Sequence, residues 1–178
     1  MRKMLVFPLC LFLTLLLAGC GEKVVAWNGE TEYYAHVTLA VDETNLYEYV
    51  DAVGHVFVGT VEKVEQNLVP DEPEYGEDDL SVYKIRVDKN IRGRLGSHVE
   101  CAKHGGIRQD GTMLLLQSDN SVDTGLPEEG GQYIFLAYAG RDGRLLLSEF
   151  FDNRPYSDDL LQEYLDYCRH SAPSDGEK

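Results

Sequence analysis

His55-Val56-Phe57-Val58-Gly59-Thr60-Val61-Glu62-Lys63-Val64, residues 55–64, is the stretch on which the fold turns. It is rich in β-branched and aromatic residues and its apolar positions lack helical spacing, so it reads as a strand. Downstream, Tyr83, Ile85 and Val87 alternate with Lys84, Arg86 and Asp88, a period of two that predicts a half-buried strand. Asn90-Ile91-Arg92-Gly93 reads as the turn that ends it. A third strand follows, with Val99 and Cys101 facing one way and Glu100 and Ala102 the other. Gly105-Gly106 comes next, and Asp110-Gly111 is a hairpin signal before Met113-Leu114-Leu115-Leu116. Residues 117–131 read as loop. Tyr133 to Tyr138 and Leu145 to Phe150 read as two strands joined across Arg141-Asp142-Gly143-Arg144.

Upstream of this array, Tyr33, Ala35, Val37, Leu39 and Val41 alternate as an N-terminal strand would. Asp42 is placed to cap a short helix in which Leu46, Val50 and Val53 share a face, with Gly54 as its stop. At the other end, Ser157-Asp158-Asp159 caps a helix carrying Leu161, Tyr164, Leu165 and Cys168 on one stripe. Five or six strands with Gly-rich turns and a helix near each end predict a mainly-β domain, a small barrel. The 178 residues, 43% hydrophobic and 26% charged, suit one globular domain with a core of its own.

Sixteen Lys and Arg against thirty-one Asp and Glu give a net charge of −15. That balance argues against nucleic acid as a partner and against electrostatic adhesion to anionic headgroups.

The first residues, MRKMLVFPLCLFLTLLLAGC, set Arg2 and Lys3 before an apolar run from Met4 to Ala18, which is short for a membrane span. The ending Leu17-Ala18-Gly19-Cys20 resembles the lipobox of bacterial lipoproteins. That resemblance implies a signal peptide over 1–19, a diacylglyceryl thioether on Cys20, and a lipid anchor at the extracytoplasmic face of the cell membrane. Two acyl chains hold firmly where one would let go, because each buried CH₂ contributes about 0.8 kcal/mol. Loss of Arg2 and Lys3 with the leader takes the net charge from −15 to −17. Residues 20–41 are then a tether carrying the N-terminal strand, 42–170 the barrel domain with its C-terminal helix, and 171–178 a flexible tail.

Of four cysteines, Cys10 leaves with the leader and Cys20 takes the lipid. Cys101 and Cys168 remain, in an oxidising compartment. Two readings stand for them: a disulfide, stabilising by about 3–5 kcal/mol in the chain-entropy model, or two buried thiols acting as small hydrophobes.

The succession Val56-Phe57-Val58-Gly59-Thr60-Val61, Tyr83-Lys84-Ile85-Arg86-Val87, Ile91-Arg92-Gly93, Gly105-Gly106 and Gly130-Gly131-Gln132-Tyr133-Ile134-Phe135-Leu136 resembles bacterial surface proteins with an OB-fold barrel similar to tissue inhibitors of metalloproteinases and netrin-like modules. The likeness covers residues 45–150 and implies a five-stranded, OB-like Greek-key barrel. In the animal inhibitors a free N-terminal cysteine chelates the protease zinc. The matching residue here is Cys20, which the lipobox reading converts to a thioether, so the resemblance carries the fold further than the inhibition.

His98, Cys101 and His104 stand three apart and are zinc-type ligands. On a strand, 98 and 104 face together and 101 faces away, so the expectation is a core-facing Cys101 flanked by surface histidines and no metal. The acidic run Pro70 to Asp79 holds six carboxylates without EF-hand spacing and reads as a solvated loop, with no cofactor. Ser97, Ser118 and Ser148 lack a G-x-S-x-G elbow. His36, His55 and His170 are isolated in the sequence, with His55 opening a strand in a structural role, and Glu128-Glu129 and Asp158-Asp159 are adjacent acids expected in so acidic a chain. No catalytic set emerges, and the expectation is a non-enzyme. Eleven tyrosines and Trp27 are candidates for lining a sugar or peptide groove, core and rim positions being the alternative. The reading is a membrane-anchored binding module for a protein or another envelope component, with metalloprotease inhibition and envelope hydrolysis as rivals.

Overall fold

The computed structural model describes residues 23–37, 45–74, 78–118, 123, 125–148 and 154–170. The leader, Cys20, Leu39, Val41, Asp42, Tyr75 and the tail 171–178 lie outside the described residues. Among the described residues, nine strands and two helices follow in order: β1 Thr31–Val37, α1 Leu46–Ala52, β2 His55–Gln66, β3 Leu80–Arg92, β4 His98–His104, β5 Gly106–Ile107, β6 Met113–Ser118, β7 Gln132–Ala139, β8 Leu145–Leu147, β9 Arg154–Pro155 and α2 Asp158–His170.

Five of these strands close on themselves. The order β2-β3-β4-β8-β7 is completed by β7 pairing back onto β2, and all contacts are antiparallel except β4 against β8. This is an OB-type Greek-key barrel. Closure depends on β2 and β3 bending. Their register slips at four places, between Val56/Phe57, Val58/Gly59, Val61/Lys63 and Val64/Gln66. Each slip adds a kink and extra twist, so β2 can pair β3 along its length while residues 55–60 also pair β7.

Alternation along β2 and β7 sorts their side chains into two cores. Phe57, Val61, Tyr83, Ile85, Cys101, Phe135, Ala137 and Leu147 fill the barrel interior. Val56, Val58, Ile134 and Leu136 point the other way, where Tyr49, Val50 and Val53 of the α1 segment and Leu161 and Tyr164 of α2 cover them. A strand buried on both faces reads as an unbroken apolar run, which explains the composition of 55–61. Burying one such side chain fully contributes about 1.5–3 kcal/mol.

The helix before the barrel is capped by Asn45, whose side chain accepts from the Tyr47 N–H. The cap expected at Asp42 falls outside the described residues, and α1 starts at Leu46. Ser157 caps α2 as expected, its Oγ accepting from the Leu160 N–H at 3.1 Å. Three other expectations change. The strand ending in a turn at Asn90 continues to Arg92 because β2 offers partners up to Val56. The loop expected to open at 117 opens after β6, which runs to Ser118. Met113–Ser118 is not a barrel strand: with β1 alongside in parallel and β5 on its other side it forms a separate three-stranded sheet. The Asp110-Gly111 turn does close the β5–β6 hairpin, with Gly111 at φ +92° donating to the Arg108 carbonyl.

The tether expected over residues 20–41 is bonded to the domain from Lys23 onward. The Lys23 carbonyl accepts from the N–H groups of Asn67 and Leu68 at 2.9 and 3.1 Å. The Asn67 amide accepts from Val25 N–H at 2.7 Å and donates to the Val25 carbonyl at 2.9 Å. Asn28 N–H donates to Gly111 O, Met113 N–H donates to Glu30 O, and the chain enters β1. The sequence conceals this strap because its fit is made by backbone groups.

Candidate functional site

Two chains of polar contacts meet on β4 at Lys103 and His104. In the first, Asp79 just before β3 accepts on Oδ2 from Tyr34 O–H of β1 at 2.7 Å, and His104 Nδ1 lies 2.9 Å from the same oxygen. In the second, Lys103 Nζ is 2.9 Å from Asp123 Oδ2 and donates to Ser148 O at 3.2 Å, while Ser148 Oγ donates to the Tyr49 hydroxyl of α1 at 2.6 Å. Ser81 Oγ donates to Gly105 O at 2.8 Å beside them. Asp79, Lys103 and Ser148 are 0% exposed, Asp123 1% and His104 5%. Burial, followed by the bond to Asp79, pushes the Tyr34 hydroxyl far above its ordinary value. The network ties the small sheet, the barrel and α1 together, and its burial leaves its charged atoms facing protein.

The expected surface position of His104 is therefore corrected: the C-terminal half of β4 is buried on both faces, and Asp79 compensates the ring. His98 does lie at the surface, 3.6 Å from Glu62, with Ser97 Oγ 3.1 Å from its Nδ1. Cys101 does face the barrel interior. Among the described residues no three His, Cys, Asp or Glu side chains converge on a common point. The described acids of the run, Asp71, Glu72, Glu74 and Asp78, are exposed as a solvated loop requires, whereas Asp79 is buried.

Cys101 and Cys168 are both free thiols, the first in the barrel interior and the second against the helical layer. Cys101 is buried and Cys168 half-buried, and β2 and β7 separate their two cores. Burial, and then Glu100, pushes the Cys101 thiol from 9.0 to about 12, and burial raises Cys168 as well.

His55 opens β2 opposite Ala137, His36 lies on β1, and His170 ends α2 with Nδ1 2.8 Å from Asp166 O. Ser118 is buried. Asp158 accepts from the Tyr156 hydroxyl at 2.7 Å in the first turn of α2. Glu128 and Glu129 edge a shallow cleft of about 230 Å³ whose walls include Val25, Trp27, Tyr83 and Met113. That volume lies below the usual range for a drug-sized ligand, about 300–1,000 Å³.

The tyrosines divide between interior and surface. Tyr49, Tyr83 and Tyr164 are buried, whereas Tyr33 and Tyr47 stay 47% exposed. Tyr47 meets Tyr167 edge-on at 4.6 Å and His170 at 6.2 Å where α1 packs on α2. This makes a small aromatic surface patch.

Sequence reasoning missed Tyr34, Asp79, Lys103 and Asp123. One signal was available: Lys103 is two residues beyond core-facing Cys101, so strand parity puts it on the same face.

No family model matches the chain, and no curated protein matches it. Fold and site together define the class: an OB-type closed barrel with two helices over one face, a strapped three-stranded sheet and a buried ionic cluster.

Proposed function

We propose that the protein is an extracytoplasmic lipoprotein, anchored by acyl chains on Cys20, whose barrel is a non-catalytic binding module for a protein or another component of the cell envelope. Support for the anchor is the succession Arg2-Lys3, apolar run and Leu17-Ala18-Gly19-Cys20. Support for binding rests on one observation, the exposed Tyr47 ring against Tyr167 and His170. A rigid ring pair offers apolar area with polar tips, the combination favoured at recognition surfaces. The patch also stands clear of the N-terminal strap: β2 begins beneath the helices at His55 and ends at Gln66, next to the residue that holds the strap.

Two experiments test this reading. Cys20→Ser is expected to release the protein or leave its precursor unprocessed; ordinary membrane retention would defeat the anchor. A photocrosslinking residue in place of Tyr47 should trap an envelope component that the same residue at exposed Lys89 does not. Identical crosslinks from both positions would remove the patch from consideration. Inhibition in a metalloprotease panel, or turnover of an envelope substrate, would favour the rival readings instead.

A further inference from the structure

Four large apolar side chains stand out as exposed among the described residues: Val24 at 46%, Trp27 at 50%, Tyr33 at 47% and Tyr47 at 47%. Three of them fall within the ten residues 24–33, on the strap and the start of β1. The strap is bonded to residues 67 and 68, just past β2, through Lys23 and Val25, and to the β5–β6 hairpin through Asn28. It is therefore carried wherever the barrel sits. Only Gly21 and Glu22 intervene between Cys20 and Lys23, so the backbone between them spans at most about 10 Å.

We infer that the strap seats the domain flush against a lipid bilayer, with Val24 and Trp27 entering the headgroup layer beside the acylated Cys20. The inference deepens the anchor reading and rests on it. A sulfur carrying a diacylglyceryl group sits at glycerol depth, and a 10 Å leash leaves Lys23 within the reach of the interface, which is several ångström thick on each side of the hydrocarbon. Trp and Tyr are the side chains that prefer that layer. The indole is ready for it: its one polar group, Nε1, already donates to Glu30 O at 2.7 Å, so the ring leaves water without orphaning a donor. Charge does not supply the attraction, because the chain is strongly acidic and Glu30 and Glu32 lie on the same segment. The seat is apolar and insensitive to salt.

Trp27 is the only tryptophan in the chain, so its fluorescence reports this contact directly. Full-length lipidated protein is reconstituted into phosphatidylcholine vesicles, either plain or brominated near the top of the acyl chains. The brominated lipid should cut Trp27 emission roughly twofold, as expected for a ring held about 5–10 Å into the headgroup and acyl boundary. The quenching should persist in high salt. Val24→Asp, a change at an exposed side chain, should reduce it. A mass spectrum of the same sample reads the modification on Cys20. Protein that is lipidated and vesicle-bound but equally bright in both lipids overturns the seating and leaves the anchor standing. Quenching that disappears in high salt overturns the apolar seat. An unmodified Cys20 thiol overturns anchor and seat together.

Discussion

Lys103 and Asp123 form an ion pair at 2.9 Å with both side chains fully withdrawn from water. Such a pair offsets its own desolvation only while both members are present. Lys103→Met leaves the Asp123 carboxylate buried without its cation and should lower unfolding free energy by about 3–5 kcal/mol. The double change Lys103→Met with Asp123→Leu should cost less than either single one, because it removes both charges. Urea denaturation of the three variants measures this, and a Lys103→Met protein within 1 kcal/mol of the parent would refute it.

Cys101 makes alkaline stability a readout of the barrel interior. Its thiol is raised from 9.0 to about 12 by burial, so the folded state favours the protonated form. The stability it contributes is complete below pH 9 and drains away as pH climbs towards about 12. Tyr34, raised by burial and by Asp79, acts in the same direction above its own ordinary value. Melting temperature should therefore fall above pH 9, and less steeply in Cys101→Ala.

The two free thiols should also differ in reactivity. Cys168 is half-buried and Cys101 wholly so. Alkylation of unreduced native protein should mark Cys168 ahead of Cys101, with both marked in urea. A mass showing neither labelled in urea without reductant would mean that they are bonded to each other.

Gly106 sits where two segments meet backbone to backbone. A Cβ there would lie 2.4 Å from Val69 Cγ1 and 2.6 Å from the Asn67 carbonyl oxygen. Gly106→Ala should destabilise by about 1–3 kcal/mol. Gly54→Ala, whose Cβ meets nothing within 4 Å, should stay within about 0.5 kcal/mol of the parent. Equal melting temperatures for the two variants would contradict the close approach at Gly106.

Asn67 holds the strap with both ends of its amide. Asn67→Ala removes two hydrogen bonds to Val25 at a part-buried site and should cost about 1–3 kcal/mol. It should also raise acrylamide quenching of Trp27 in solution, since the strap then loosens. Unchanged quenching would mean that the other backbone bonds suffice.

Much of the barrel was legible residue by residue. The alternation of Tyr83, Ile85 and Val87, the β-branched run 55–61, the hairpin signals at Asp110-Gly111 and Asp142-Gly143, and the Ser157 cap each write a local backbone preference into neighbouring residues. Each appears as the corresponding element. Met113–Ser118 was legible as a strand, yet its partner was not: whether a strand pairs within the barrel or with β1 depends on a residue some eighty positions away. His104 was misplaced for a similar reason, since strand parity tells which residues share a face but not whether the second face is covered too.

Sequence alone determined most of the elements, the charge and the mainly-β class, because turns, caps and two-residue periodicity act between near neighbours. Tertiary structure alone decided that β7 returns to β2, that Lys103 finds Asp123, that Cys101 and Cys168 lie in different cores, and that residues 23–30 are bonded down as a strap. Those are matches between distant groups in a low-dielectric interior, where the energy of a contact depends on what the folded chain brings opposite it.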